Sequence, residues 1–424
     1  MGKPCKITMA SMKNLILKVE RPAYGGLSIG RHEGKIVMIK GAALPGETVE
    51  AAVEGEKKDY LTASVKKVLE PAPYRIEPAC RYFGTCGGCH LQHIDYEHQL
   101  KLKQEILGDS LKRLAKTVTE LSTPLFDGGP WNYRLRGQFK VSHGQAGFYR
   151  GNTREVVDID YCPLMTEEIN EYFSKAKPLL KKNPDVREIH ITTGDCSTAL
   201  IRLSSRVKSA SAMNKPASSL TDVGFAGLYV ETHDNKISRH GRTYVTLRLD
   251  NMSYTVSPPT FFQSHWRLNQ KVVKFIKDSL QPLKGKRVLD LYSGAGNFSL
   301  PLASDAEVVA VEENPHAIED GRRNAEINKI ETCRFIKSSA EDFNAAGRFD
   351  IVILDPPRTG ISNSVMEKLS ALIPERIVYI SCNPATFARD LRELHKAYDI
   401  GSVRMIDLFP QTFHIESLAL LRLR

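Results

Sequence analysis

The sequence predicts an α/β protein in three parts: a small β-barrel at residues 1–70, an α+β segment at 71–260 and a doubly wound α/β domain at 261–424. Three observations carry that division. Short alternating strands crowd between Gly and Pro punctuation over residues 13–69. A cysteine-rich loop, an amphipathic helix and antiparallel strand signals come next. From about residue 265 apolar strands alternate with helices, which predicts a parallel sheet that takes its ligand at the carboxyl ends of the strands.

The bulk numbers agree. A chain of 424 residues is long enough for two or three domains, each with its own core. Its 42% hydrophobic and 25% charged residues are those of a globular protein, and no apolar run approaches a membrane span. The first residues lack the apolar core of a signal peptide, so a cytoplasmic protein is expected. The net charge of +10 is uneven: residues 1–70 carry 12 Lys+Arg against 8 Asp+Glu, and residues 71–260 carry 25 against 20. Residues 261–424 are near neutral, 22 against 21. A basic front attached to a neutral domain suggests a polyanion held by one part and processed by the other, although solubility alone explains the charge equally well.

In the first part, "LILKVE", "GKIVMIK", "ETVEAAVEGE" and "LTASVKKVLE" read as strands of a small closed barrel. The Gly-Gly and Ile-Gly-Arg portion at 25–31 and "LPGETVEA" resemble the TRAM domain, an OB-like RNA-binding barrel. In the middle part, Leu100, Leu102, Ile106, Leu107, Leu111 and Leu114 recur at helical spacing. "YRLRGQFKVS" and "AGFYRGNTREVVDI" read as antiparallel strands, residues 166–182 as a helix, and more strands run to about residue 260. The Ser/Ala/Lys-rich stretch 206–220 reads as a loop or a variable helix.

"CRYFGTCGGCHLQH" places Cys80, Cys86 and Cys89 at C-x5-C-x2-C, and Cys162 is a distant fourth. Such a set suits an iron–sulfur cluster or a tetrahedral zinc ion, and disulfides are not expected in the cytoplasm. His90 and His93 are expected beside the ligands or facing solvent, not as ligands.

In the last part, "VLDLYSGAGNFSLPLA" is a strand, a glycine loop and a helix start. Gly294 and Gly296 allow close backbone approach to a ligand. The spacing is neither the dinucleotide fingerprint nor a Walker loop. Glu312 ends the next strand, where a ribose is hydrogen-bonded in such folds. Asp355 in "LDPPRTG" sits on a stiff Pro-Pro turn. Cys382 in "VYISCNPATFARDL" follows a strand at the same sheet edge. A cysteine there is a filler, a ligand or a nucleophile, and the cofactor edge favours the nucleophile. A thiolate adding to C6 of uracil makes C5 nucleophilic toward a methyl donor, and a base must then remove the C5 proton. Glu416 in "FPQTFHIESLALL" is the natural base, with His414 a competitor by residue type.

The glycine loop with Asp-Pro-Pro resembles the Rossmann-like class I S-adenosylmethionine-dependent methyltransferases. With "PPTFFQ", "SCNPATFARDL" and "HIES" added, nearly the whole chain resembles the RNA uracil-5 methyltransferase family. That resemblance implies S-adenosylmethionine as cofactor, Cys382 as nucleophile and Glu416 as proton acceptor. It implies cofactor contacts from Gln263, Tyr292, Gly294, Gly296, Asn297, Glu312 and Asp355. It also favours a [4Fe-4S] cluster on Cys80, Cys86, Cys89 and Cys162 over zinc. The expected partner is RNA, large-subunit rRNA ahead of the tRNA T-loop, with no DNA or membrane and a monomeric chain. Two positions depart from the family pattern: Ser264-His265 replaces Val-Asn, and Ser339 stands where an acid or amide is usual. A radical methylthiotransferase would need C-x3-C-x2-C, which is absent, and a non-catalytic RNA-binding module would have no use for Cys382 or Glu416.

Overall fold

The protein is described by a computed structural model covering residues 14–116, 120–204, 218 and 220–424. The Ser/Ala/Lys-rich stretch lies outside the described residues apart from Ser218 and Leu220. The chain divides into two compact units. The first holds residues up to Phe83, Cys89–Ile106 and Gln411–His414. The second holds Gly84–Gly88, Leu107–Pro410 and Ile415–Arg424.

The first unit is built on a closed five-stranded barrel. Its strands are Asn14–Ala23, Leu27–His32, Lys35–Lys40, Thr48–Glu56 and Tyr60–Glu70. The first strand alternates exposed and buried residues, so Leu15, Leu17 and Val19 point inward onto Val37, Ile39, Val49 and Ala63. One strand goes beyond the sequence expectation. Leu27–His32 follows a Gly-Gly pair that reads as a turn, and it pairs with both neighbours once that turn has formed. Beside the barrel, the buried carboxylate of Glu47 accepts from Leu44 N–H at 2.8 Å and Ala72 N–H at 3.1 Å. Arg75 Nε closes that ion pair at 2.6 Å.

The second unit holds two large sheets. One has seven strands, mostly antiparallel, built from Arg136–Ser142, Gln145–Tyr149, Val156–Asp158, Val186–Thr193, Ser197–Leu203, Gly227–Glu231 and Ile237–Gly241. Helix Glu167–Lys182 packs on it and buries Ile169, Phe173, Ala176 and Leu180 at helical spacing. The other sheet has eight strands. Cys333–Lys337, Glu307–Glu312, Arg287–Leu291, Ile351–Leu354 and Arg376–Ser381 lie side by side in that order, all parallel. "RVLDL", "IVIL" and "RIVYIS" are near-continuous apolar runs because helices cover both faces of a parallel sheet.

The sheet is not parallel throughout, which corrects the expectation from sequence. Glu416–Leu423 runs antiparallel to Arg376–Ser381, and Tyr398–Ile406 runs antiparallel to Glu416–Leu423. No helix separates those last two strands, so a short connection reverses the chain. Beyond them Ser122–Leu125, a short strand containing Pro124, closes the edge in parallel with Tyr398–Ile406. No described helix is long and apolar enough to cross a membrane.

Candidate active site

The parallel strands end at one edge of the sheet, and their loops carry the candidate site residues. Strand Arg287–Leu291 leads into the glycine loop, where Gly296 has a φ of 92°. A Cβ there would stand 2.8 Å from Leu300 Cγ and Phe335 Cζ, so only glycine fits. Tyr292 has a φ of 66°, a strained conformation for an aromatic residue. Its hydroxyl donates to Glu341 Oε1 at 3.4 Å, and Ser362 Oγ donates to the same oxygen at 2.9 Å. The Glu312 carboxylate accepts from Gly294 N–H at 3.0 Å and Asn314 N–H at 2.8 Å. An acid from the second strand thereby braces the loop of the first. Asn297 faces a helix instead: its amide exchanges hydrogen bonds with Asn269 at 2.7 and 3.1 Å.

Gln263 follows an anchored turn. The buried Asp320 carboxylate accepts from Ser257 N–H at 2.8 Å, Ser257 Oγ at 2.6 Å and Thr260 Oγ1 at 2.6 Å. Arg136 donates to the carbonyls of Thr260 at 2.6 Å and Ser257 at 3.3 Å. Its guanidinium lies 4.5 Å from the centre of the Phe262 ring, and burial pulls its pKa down to about 10. Phe261, next in line, is 68% exposed. His265 caps the following helix, Trp266–Ser279, through Nδ1. It stacks on Tyr133, and burial lowers its pKa to about 4.

Asp355 and Cys382 end neighbouring parallel strands. Their loops are tied together, because Asn383 Nδ2 and Thr386 Oγ1 both donate to the Arg358 carbonyl, at 3.2 and 3.3 Å. Asn383 also caps helix Pro384–Leu394 by accepting from Ala385 N–H at 3.0 Å. The last strand brings in Glu416. Ser381 pairs with Ser417 in antiparallel register, so one step further Cys382 lies opposite Glu416. Opposed residues in such ladders have Cα atoms about 4.5–5.5 Å apart. Glu416 is 4% exposed.

Electrostatics agree with that juxtaposition. Burial pushes the Cys382 thiol up to about 11, and the carboxylates of Glu416 and Asp355 add to the rise. The Arg358 guanidinium pulls the other way. Asp355, recessed at its strand tip, is pushed up to about 7 by desolvation. Nothing in the sequence alone marks Arg358 or Asp320. Asp290 is a carboxylate in the middle of an apolar strand. An acid inside "VLDLY" was the available signal.

Cys86 and Cys162 come close enough for a Cys86 thiolate to raise the Cys162 thiol, which burial first pushes up to about 11. Gly88 N–H donates to Cys86 Sγ at 3.4 Å, and Cys80 N–H donates to Gln92 Oε1 at 3.0 Å. None of the four cysteines forms a disulfide, and all are partly exposed. Among the described residues, however, no set of three or more His, Cys, Asp or Glu side chains is gathered as a metal cage. Cys80 and Cys89 belong to the first unit, Cys86 and Cys162 to the second. Of the two places expected for His93, beside the ligands or facing solvent, the second is not found: it is buried, and neither ring nitrogen has a hydrogen-bond partner among the described residues. His414 falls in segment 411–414 of the first unit, outside the strand that begins at Glu416.

A family model described as tRNA (uracil-5-)-methyltransferase matches residues 95–350 and 345–424. The chain belongs to this family. A TRAM domain model matches residues 15–66 of this uracil-5 methyltransferase, over the barrel. An uncharacterized RNA methyltransferase of Aquifex aeolicus is 37% identical, covering 97% of this chain and 99% of its own. The 23S rRNA (uracil(1939)-C(5))-methyltransferase RlmD of Shewanella amazonensis is 33% identical over 100% of this chain and 98% of its own. Among solved structures, the Pyrococcus abyssi tRNA (uracil-54, C5)-methyltransferase in complex with S-adenosyl-L-homocysteine superposes with a TM-score of 0.76. It is 26% identical and covers 96% of this chain and 99% of that one. The protein is an S-adenosylmethionine-dependent RNA uracil-5 methyltransferase with a TRAM barrel.

Proposed function

We propose that this enzyme methylates C5 of a uridine in large-subunit rRNA, with Cys382 as nucleophile and Glu416 as base. The target class is favoured by full-length similarity to 23S rRNA enzymes, with a tRNA uridine as the second reading. The observation that carries the residue roles is the antiparallel register setting Glu416 across from Cys382 at the glycine-loop edge.

The bound cofactor supplies an electrophilic methyl group. Gln263, Tyr292, Glu312 and Asp355 line its crevice, while Gly294 and Gly296 let the backbone approach. Asn297 would act indirectly, by tying the loop to helix Trp266–Ser279. The Cys382 thiol gives its proton to solvent, and Sγ adds to C6 of uracil as the electron pair moves to the C4 carbonyl oxygen. C5 then takes the methyl group, and the methyl–sulfur bond of the donor breaks. Glu416 removes the C5 proton, the C6–Sγ bond breaks, and the thiolate is released with the C5–C6 double bond restored.

In the experiment, Cys382→Ala abolishes 5-methyluridine formation while cofactor binding remains. Glu416→Gln accumulates a methylated, covalent protein–RNA adduct visible on a denaturing gel. Product formed by the alanine variant would remove the thiolate mechanism, and absence of the adduct would remove Glu416 as base. Mapping the 5-methyluridines that disappear from rRNA and tRNA on gene deletion decides the target.

A [4Fe-4S] cluster on Cys80, Cys86, Cys89 and Cys162, ahead of zinc, is a further part of this reading. It is supported by the C-x5-C-x2-C spacing and by the approach of Cys86 to Cys162 alone. No chemical step is routed through it. Iron, sulfide and zinc analysis of anaerobically purified protein tests it, and protein holding none of the three would exclude it.

A further inference from the structure

Asp290 is fully buried, and its two oxygens have different fates. Oδ2 accepts a short hydrogen bond from Ser299 Oγ. Oδ1 is buried with no hydrogen-bond partner. A buried carboxylate oxygen left unpaired is unfavourable and calls for a ligand or a proton.

Register shows what surrounds it. Asp290 pairs with Ala310 on one neighbouring parallel strand and with Ile353 on the other. Glu312 and Asp355 lie two residues beyond those partners. Side chains alternate along a strand, so all three acids project from the same face, near the ends of three adjacent strands. Among the described residues, Tyr254 and Cys333 are further ionisable groups close to Asp290. Burial raises both of their pKa values, so they stay neutral. Like charges so close disfavour one another, and burial with repulsion from Asp355 and Glu312 pushes Asp290 up to about 7.

We propose that Asp290, with Glu312 and Asp355, is a carboxylate trap that reads the charge of the cofactor and favours the sulfonium methyl donor over its product. This inference rests on the cofactor reading of the crevice. The donor carries a sulfonium and an ammonium cation. After transfer the sulfur is neutral, and one positive charge has left the crevice. The acids then repel one another again and the product is released. Glu312 also braces Gly294, so the same charge balance acts on the loop that covers the cofactor.

The test is calorimetric titration of the whole protein, without RNA, with S-adenosylmethionine and separately with S-adenosylhomocysteine. In the wild type the ratio of the two affinities should rise about tenfold between about pH 6 and pH 8, as Asp290 and Asp355, both pushed up to about 7, ionise. Asp290→Asn should reduce that rise, leaving the part due to Asp355, and lower the ratio at the higher pH several-fold. Ser299→Ala removes a donor to the carboxylate and should move the midpoint to higher pH. An unchanged ratio in a folded Asp290→Asn protein would overturn the trap, as would equal weakening of both ligands, which marks a mere support of the loop. If Asp290→Asn does not fold, an unmoved midpoint in Ser299→Ala overturns it instead. Failure of the wild type to bind either ligand would instead sink the cofactor reading itself.

Discussion

A thiol pushed up to about 11 is almost wholly protonated at neutral pH, so Cys382 must be activated at the moment of attack. Its neighbours divide that task. Arg358 favours the thiolate, whereas Glu416 and Asp355 oppose it until they are neutral or engaged. Below its pKa the thiolate fraction grows tenfold per pH unit, so alkylation of Cys382 by iodoacetamide should follow that slope from about pH 7 to pH 9. Glu416→Gln removes the larger of the two carboxylate effects, and the profile should move to lower pH by about one unit. Arg358→Gln should move it the other way. Mass spectrometry of the Cys382 peptide reads both, and an unmoved Glu416→Gln profile would mean that the carboxylate does not face the thiol. Cys382, Asp355 and Glu312 were legible in the sequence because each ends an apolar run. Asp290, Arg136 and Asp320 were not, since their meaning lies in what they touch dozens of residues away.

At the scale of elements, one local device recurs. Helices Pro315–Ile327 and Pro384–Leu394 both begin with Asn-Pro, the asparagine accepting from the N–H two residues on and the proline filling the first helical position. Each helix is thereby started at a strand end where a site residue stands, Glu312 in one case and Cys382 in the other. Asn383 does more than cap, because its amide nitrogen also holds the Arg358 carbonyl. Asn383→Ala should cost about 1 kcal/mol of stability through removal of the cap. It should lower turnover by more than that cost explains, since the Arg358 turn is no longer held. Thermal unfolding and turnover measured on the same sample separate the two effects. An activity that merely follows stability would make Asn383 a cap alone. The parallel strands were legible because burial on both faces writes them as apolar runs. The strands Leu27–His32 and Ser122–Leu125 were not, since a Gly-Gly pair masks the first and Pro124 the second. Only pairing with distant partners makes them strands.

For the whole molecule, the uneven charge can be connected to specific side chains. Nine of the ten excess positive charges lie before residue 261, four of them in residues 1–70. Many barrel cations are engaged on the surface: Lys35 with Glu56, Lys40 with Glu54, Arg31 with Glu20. Such exposed pairs contribute little to stability and lower the field available to a polyanion. Lys57 and Lys58 are exposed just before the last barrel strand, beside the exposed Tyr60, and Lys66 and Lys67 are exposed further along that strand. A cationic surface with an aromatic residue suits a nucleic-acid backbone with an unstacked base. Replacing the four lysines with alanine should therefore weaken RNA binding by at least tenfold at low salt. The salt dependence should flatten by roughly 0.7–0.9 in logarithmic slope for each phosphate that a lysine no longer neutralises. Cofactor affinity should not change, because the crevice is built entirely from residues of the second unit. Filter binding across a salt series measures the first two quantities, and calorimetry measures the third. RNA affinity equal to wild type at every salt concentration would show that the excess charge of the barrel serves solubility, and would shift the search for the RNA surface to residues 71–260.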